Sequence, residues 1–226
     1  MGSLKKVRPT EAEFLGLVEG HRMTIVHDEG VHRHVRFARP DSGFDAFSLT
    51  TWPGHLAITG DWDDYVFART YDMFEFFRRG RAGDPLEFDR NYWSKKVVAI
   101  SRCGPLEEFD EEKFRRAAWE EARHFPKEAR DRVAREVVPA AEYGLEGAVR
   151  AACEFQAGGR YFESFHENDL TVPSRAFVQA CFAILWEIRL YDEAKAAEAA
   201  RKQRGVTGWL RRTWGKRPGA ARRAAG

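Results

Sequence analysis

The sequence has few of the features that assign a chain to a compartment or a scaffold class. Its three cysteines, among 226 residues, are far apart and form no Cys-x-x-Cys pair, so neither a disulfide framework nor a zinc knuckle is indicated. No stretch approaches the roughly 18 uncharged residues that a membrane span needs, and no apolar run of signal-peptide length follows the basic start. The sequence therefore predicts a cytoplasmic protein without a membrane span.

The short motifs that identify common enzymes are also missing. The chain contains no Gly-x-Gly-x-x-Gly loop, no Gly-Lys-Ser/Thr phosphate loop and no Gly-x-Ser-x-Gly turn. The cysteines are accompanied by no nucleophile motif. The sequence therefore predicts no reaction and no cofactor, and it favours a protein that is not an enzyme.

What the chain does contain is a large supply of rings and an uneven distribution of charge. Its 17 Phe, 7 Trp and 6 Tyr predict a core rich in aromatic side chains. The net charge of +2 hides nine Lys or Arg, and no Asp or Glu, between Ala199 and Gly226. The first 198 residues consequently carry 28 basic and 35 acidic residues, a net charge of −7. An acidic body is followed by a basic tail.

The N-terminal third has the pattern of an antiparallel sheet. Thr10 and Glu13 have capping-box spacing and predict a short first helix. From residue 21 to about residue 70, short alternating segments are separated by tight turns such as Pro53-Gly54. No connection in this stretch is long enough for a parallel crossover. We therefore expect four or five antiparallel strands, with the sheet ending near residue 70, and we favour one further strand over Lys96 to Ser101.

The remainder of the chain has helical character. Helices are predicted after Asp72, Asp110 and Pro126, and a further one over Leu145 to Phe155. The strongest helical pattern recurs from Phe177 to Tyr191, where apolar residues follow one helix face. Beyond it the apolar stripe is lost, so we expect the far end of this helix to project into solvent.

These patterns predict an α+β fold in which an N-terminal antiparallel sheet of four or five strands packs on a mainly helical C-terminal half. We expect residues 1–204 to form one globular domain, with the sheet in 21–70 and the helices in 71–204. Residues 205–226 are expected to form a basic flexible tail, with a short amphipathic helix possible near its start.

Several separate segments carry a resemblance to proteins that recur in phage and prophage genomes. They are Phe47-Ser-Leu-Thr-Thr-Trp-Pro-Gly-His-Leu, Gly60-Asp61, Tyr65-Val-Phe-Ala-Arg69, Asp72-Met-Phe-Glu-Phe-Phe77 and Ala180-Cys-Phe-Ala-Ile-Leu-Trp-Glu-Ile-Arg-Leu-Tyr-Asp192. The chain resembles this group over about a sixth of its length. The resemblance implies a phage-related setting and no catalytic residue. On that basis we predict an accessory protein that binds a macromolecular partner, such as a host or defence component.

Three histidines form the densest cluster of potential metal ligands. His27, His32 and His34 flank a predicted turn, so His32 and His34 would share one strand face and His27 would lie across from them. A metal-dependent hydrolase or nuclease using His32 and His34 is therefore an alternative function. A polar, solvated strand face explains the same pattern.

A second group of acidic residues follows Gly60. Asp61, Asp63 and Asp64 are potential magnesium ligands for phosphoryl chemistry in the same hydrolase or nuclease alternative. Because Asp and Gly are also the residues that build tight turns between strands, a turn is the favoured interpretation.

Two further groups of residues have both a functional and a structural interpretation. His166-Glu167-Asn168-Asp169 forms a polar segment between helices that is able to hold a general acid or base. Alternatively, Asp169 and Thr171 cap the next helix. Trp52 and the rings at Phe74, Phe76, Phe77, Tyr92 and Trp93 either line a ligand groove or, as we favour, belong to the core.

The basic tail is the remaining candidate for binding. Three interpretations stay open: phosphate contacts and ring stacking on nucleic acid, an interfacial helix on anionic lipid, and a solubilising extension. Nucleic-acid binding through this tail is thus a third function. The residues predicted to bind are Arg201, Lys202, Arg204, Trp209, Arg211, Arg212, Trp214, Lys216 and Arg217.

Overall fold

The computed structural model of the protein describes residues 9–78, 85–102 and 104–214, with side chains through residue 204. The strands are β1 (Arg22–Glu29), β2 (His32–Ala38), β3 (Phe47–Trp52), β4 (His55–Gly60), β5 (Tyr65–Ala68), β6 (Val97–Ile100), β7 (Glu107–Phe109) and β8 (Thr171–Pro173). The α-helices are α1 (Glu11–Leu17), α2 (Met73–Phe77), α3 (Arg90–Ser94), α4 (Glu111–Ala122), α5 (Lys127–Arg132), α6 (Gly144–Glu154) and α7 (Arg175–Trp214).

The first six strands form one antiparallel sheet in the order β1-β2-β3-β4-β5-β6. Together with the helical C-terminal half this confirms the predicted α+β class. The expectation that the sheet ends near residue 70 is wrong, because β6 pairs with β5 after the chain has passed through α2 and α3. The strand predicted near residues 96–101 is therefore real, but its place in the sheet depends on the intervening helices and not on a local turn.

Alternation along the strands divides the sheet into an inner face and an outer face. The inner residues are buried against α7, and they include Val35, Phe37, Phe47, Leu49, Leu56, Ile58, Tyr65 and Phe67. On α7, the Trp186 ring lies 5.2 Å from the Phe37 ring, and the Phe177 ring lies 5.5 Å from the Tyr65 ring. The ring-rich core expected from the composition is thus the contact between the sheet and α7.

A second apolar cluster lies within the helical half. It is centred on Phe114, Val133, Ala148 and Phe165, all fully buried, from α4, α6 and the segments between and after them. The helix expected from Pro126 to about Val138 instead changes type. α5 ends at Arg132 and continues as a π-helical turn and then a 3-10 helix to Tyr143. Pro139 explains the change, because it has no N–H to donate to an α-helical hydrogen bond.

Helix α7 is buried in the core along its first half and projects into solvent beyond it. The Ser174 hydroxyl accepts a hydrogen bond from the Phe177 N–H at its start, and the side chains are buried along one face as far as Tyr191. Most side chains from residue 193 to residue 204 are exposed, as predicted. The helix then continues to Trp214, across the boundary at residue 204 where a flexible tail was expected to begin. Residues 215–226 lie outside the described residues.

The sequence between residues 192 and 204 explains why the helix persists. Ala, Lys, Arg, Gln and Glu are strong helix formers. Glu198 lies between Lys195 and Lys202 and pairs with both, at 3.4 and 2.6 Å. Pairs at this spacing support an exposed helix by a few tenths of a kcal/mol each, about 0.2–0.5. Among the described residues, every helix is too short or too polar to cross a lipid bilayer.

Candidate nucleic-acid interface

Helix α7 leaves the body at one end of the sheet. The β1–β2 turn, the β3–β4 turn and the loop before α2 meet there, since the Gly54 N–H donates to the Tyr71 carbonyl oxygen at 2.9 Å. We call this region, residues 29–32, 52–55 and 69–72, the exit end. It brings together loop residues, exposed rings and the start of the projecting helix.

A β-bulge in β1 anchors the helix at the exit end. The ladder with β2 shifts between Ile25 and His27, and Asp28 is consequently turned to the inner face. Its carboxylate accepts hydrogen bonds from the Tyr191 hydroxyl at 2.7 Å and from the Lys195 ammonium at 3.0 Å. Burial alone would raise the pKa of Asp28, but these two hydrogen bonds outweigh it, so the pKa lies below its usual value.

Two bidentate ion pairs complete the anchor. Arg33 donates two hydrogen bonds of 2.8 Å to Asp72, the N-cap residue of α2, and its guanidinium lies 4.6 Å from the Phe74 ring centre. The Arg33 hydrogen bonds hold the pKa of Asp72 below its usual value. Arg78 donates to both oxygens of Asp192 at 2.7 and 2.9 Å. Contacts from β1, β2 and α2 therefore fix the direction in which α7 leaves the body.

The projecting part of α7, residues 193–214, carries the cations and is called here the basic arm. Arg201, Lys202 and Arg204 have exposed side chains. At 1.5 Å per residue, Arg201 lies about 15 Å beyond Tyr191 along the helix axis. The arm also contains four further predicted residues, whose side chains are not described: Trp209, Arg211, Arg212 and Trp214. Lys216 and Arg217 lie outside the described residues.

The outer face of the sheet is largely uncovered and polar. We define it by the outward-pointing residues of β1 to β5: Arg22, Thr24, Val26, His27, Glu29, His32, His34, Arg36, Ala38, Ser48, Thr50, Trp52, His55, Ala57, Thr59, Val66 and Ala68. Of these only Ala57 is buried. This part of the described sheet carries four imidazoles and two guanidinium groups but a single carboxylate. The face therefore differs in character from the acidic body.

The predicted histidine cluster lies on this outer face without forming a metal site. His27 pairs directly with His34, and His32 shares their face, as the sequence indicated. The His34 Nδ1 atom, however, lies 2.8 Å from the Thr50 hydroxyl, and His27 is nearest to Glu29 at 3.9 Å. In the part of the chain that the structure describes, no three His, Cys, Asp or Glu side chains are grouped to hold a metal ion. Same-face residues two apart on a strand are separated by roughly 7 Å, too far to converge unless their side chains turn together.

Partly or fully exposed rings lie where the outer face reaches the exit end. The Trp52 and His55 rings stack with their centres 5.1 Å apart and their planes 7° apart. Tyr71 nearby is 71% exposed. The interpretation of Trp52 and Tyr92 as core residues is therefore wrong, because Trp52 is only partly buried and Tyr92 is 38% exposed. Phe74, Phe76, Phe77 and Trp93 are buried as expected. The sequence shows that Trp52 ends a strand before a turn, but not which face of the sheet it occupies.

The three aspartates after Gly60 are engaged by neighbouring groups, two of them by the backbone. Asp61 accepts a hydrogen bond from the Ala46 N–H, and Asp64 accepts one from the Gly60 N–H, both at 3.1 Å. Asp63 has a φ of 67°, which lies in the left-handed region used in turns. The Asp63 carboxylate accepts a hydrogen bond from the Ser101 hydroxyl at 3.4 Å. These contacts fit the turn interpretation.

The polar segment at residues 166–169 borders two surface grooves of about 730 and 630 Å³. Asp169 accepts hydrogen bonds from the Lys113 ammonium at 3.0 Å and from the Thr171 N–H at 3.2 Å. Both contacts hold the pKa of Asp169 below its usual value, so it is a poor proton donor. It caps the short turn before β8, and Ser174 rather than Asp169 or Thr171 caps α7.

The basic arm, the rings at Trp52, His55 and Tyr71, and the donor-rich outer face all reach the exit end of the sheet. Sequence reasoning identified the arm and the histidines, but it missed Tyr71 and placed Trp52 in the core. Comparison of the chain with protein-family models, with curated proteins and with solved structures found no match.

Proposed function

We propose that the protein is a non-enzymatic nucleic-acid-binding protein whose basic arm makes the main phosphate contacts. The observation that carries the proposal is the continuity of α7 from the core to Trp214. This helix packs its Phe177 ring against Tyr65 and is anchored by contacts with Asp28 and Arg78. It therefore holds Arg201, Lys202 and Arg204 away from the body.

The charge distribution supports this proposal. A flexible tail of charge +9 attached to a body of charge −7 would be attracted to that body and partly neutralised by it. A helix with a rise of about 1.5 Å per residue instead moves its cations outward with every turn. The pairing of Lys202 with Glu198 is exposed and of little energetic value, so a phosphate is able to replace it.

Fluorescence anisotropy with a labelled 20-nucleotide strand tests the proposal over a range of salt concentrations. Because each phosphate contact contributes about 0.7 to the salt slope on a single strand, the variant R201E/K202E/R204E should lose about two from that slope and bind much more weakly. The matched control is K127E/R130E/R135E, which makes the same charge change at exposed positions of the helical half. We expect this control to bind almost as well as the parent protein.

Two results would contradict the proposal. The first is an intact protein that does not bind the strand at 50 mM salt, where phosphate contacts are strongest. The second is an equal loss of binding in the arm variant and in the control variant, which would reduce the effect to net charge. If the protein sediments with anionic vesicles but does not bind the oligonucleotide, the arm binds a lipid surface instead.

The resemblance to phage-encoded proteins supports a phage-related setting for this binding. The predicted host or defence partner then either contacts the protein directly or is bridged to it by nucleic acid. Recovery of the tagged protein from its host, with and without nuclease, separates the two. A partner lost only after nuclease treatment supports bridging, and one retained by the arm variant indicates a separate protein surface.

A further inference from the structure

We infer that the outer face of the sheet at the exit end is a stacking platform for unpaired bases, so that the preferred ligand is single-stranded nucleic acid. This inference rests on the proposed function and names its substrate class. It is carried by the rings, the hydrogen-bond donors and the place where the basic arm leaves the sheet.

The rings provide the surface on which a base would stack. Trp52 and His55 lie on neighbouring strands, and their rings stack on each other with nearly parallel planes, so a base would extend this stack on a ring face that the pair leaves uncovered. His32 precedes Arg33, which pairs with Thr51, so the β2–β3 register places His32 beside Trp52. Every base offers a π face, but only in an unpaired strand are these faces free to leave their neighbours and stack on protein rings. A duplex keeps them inside its own stack.

The polar groups around the rings suit the same ligand. Imidazoles, hydroxyls and the Arg36 guanidinium offer donors to base edges and phosphates, and Glu29 is the sole carboxylate among the outer-face residues defined above. This complements a polyanion, although the body as a whole is acidic. The aliphatic members of the face are Val26, Ala38, Ala57, Val66 and Ala68, of which only Val26 is exposed, so the face offers little apolar area with which to bury a protein partner or enter lipid.

The anchor of α7 places the start of the basic arm at the end of the sheet that carries the platform, although α7 packs on the inner face and the platform lies on the outer face. Asp28, which binds Tyr191 and Lys195, is followed directly by Glu29, the residue that pairs with His32. Phosphates held by the arm therefore approach the sheet at the end that carries the rings. A strand that is bound by the arm would reach the platform by passing around this end of the sheet.

The test compares the affinity of one 20-nucleotide strand with that of its duplex, at one salt concentration. The intact protein should prefer the single strand. Trp52→Ala should weaken single-strand binding by about fivefold to a hundredfold, the range for one lost base stack, and leave duplex binding unchanged. Trp52→Phe keeps a ring and should retain most of the preference, which also excludes misfolding as the cause. Trp119→Ala, at a 42% exposed ring on α4, is the matched control and should change neither affinity.

The results separate this inference from the function on which it rests. If R201E/K202E/R204E weakens the binding of both the single strand and the duplex while Trp52→Ala changes neither affinity, the arm binds nucleic acid and the stacking platform is refuted. If the intact protein binds neither ligand, both proposals fail. A third result would assign the face to a protein partner. In that case the intact protein does not bind the oligonucleotide, and a host protein stays bound after nuclease treatment but is lost in Trp52→Ala.

Discussion

Glu187 provides a direct test of how the core of this protein is assembled. It lies on α7 one turn from Ala183 and Tyr191, both buried, and is itself only 1% exposed. Among the described residues, neither of its carboxyl oxygens has a hydrogen-bond partner. Burial raises the pKa of this carboxyl well above its usual value of 4.5. The folded protein therefore holds a proton that the unfolded chain releases.

The free energy of unfolding should consequently fall as the pH rises above 4.5. In that range the unfolded state binds fewer protons than the folded state, and each pH unit below the folded pKa removes up to about 1.4 kcal/mol of stability. Between pH 5 and pH 7 the loss reaches up to about 2.7 kcal/mol. Glu187→Gln has the same shape and no titration, so it should lack this loss. Glu187→Leu also removes the unpaired polar atoms, so its free energy of unfolding should be higher by a further amount of about 1–3 kcal/mol.

Urea unfolding of the three proteins, followed by tryptophan fluorescence at pH 5, 6, 7 and 8, measures these differences. Burial raises the pKa of Tyr65 to about 12 and that of the Cys181 thiol above its usual value, so neither group interferes in this range. The other titrating groups are common to all three proteins and cancel. Parallel stability curves for the parent and Glu187→Gln would refute the reasoning, because they would show that Glu187 ionises equally in both states.

Four further substitutions test other contacts by urea or thermal unfolding. Asp72→Asn breaks the bidentate ion pair with Arg33 and should lower the free energy of unfolding by about 2 kcal/mol at pH 7. Because the pKa of Asp72 is lowered in the folded state, this loss of stability should shrink as the pH falls below 3.8. A loss that stays constant with pH would contradict this. Gly60→Ala should cost more than about 2 kcal/mol, since its Cβ would overlap backbone atoms at the start of β3. Gly54→Ala, also at positive φ but with open space around it, should cost only about 1 kcal/mol, and equal losses would show that the overlap does not matter. Ser174→Ala removes the cap of α7 and should cost about 1 kcal/mol; no loss would show that the cap is dispensable.

Local features of this fold were predictable from the sequence. The capping box of Thr10 and Glu13 is present, and Asp72 and Asp110 cap α2 and α4 as expected. The hairpin turns also lie where Pro53-Gly54 and the residues after Gly60 indicated. Each of these features depends on residues a few positions apart, so its physical cause is contained in the sequence that was read.

Features that depend on distant contacts were missed. The β7–β8 pair joins residues more than sixty positions apart, and β6 finds β5 only after two helices. The single extra residue in β1 reverses the face of Asp28, which no alternation pattern reveals. The candidate site was therefore predicted in part: its charges were evident from the composition, whereas the position of its rings required the register of the sheet.

By itself, the sequence determined the α+β class, the turns, the caps and the separation of an acidic body from a basic end. Only the tertiary structure decided that Trp52 faces outward, that Glu187 is buried without a partner and that the basic end continues the central helix. The reason is that composition and short-range hydrogen bonding are properties of the chain. The face, the burial and the direction of a residue depend on which distant segments pack against it.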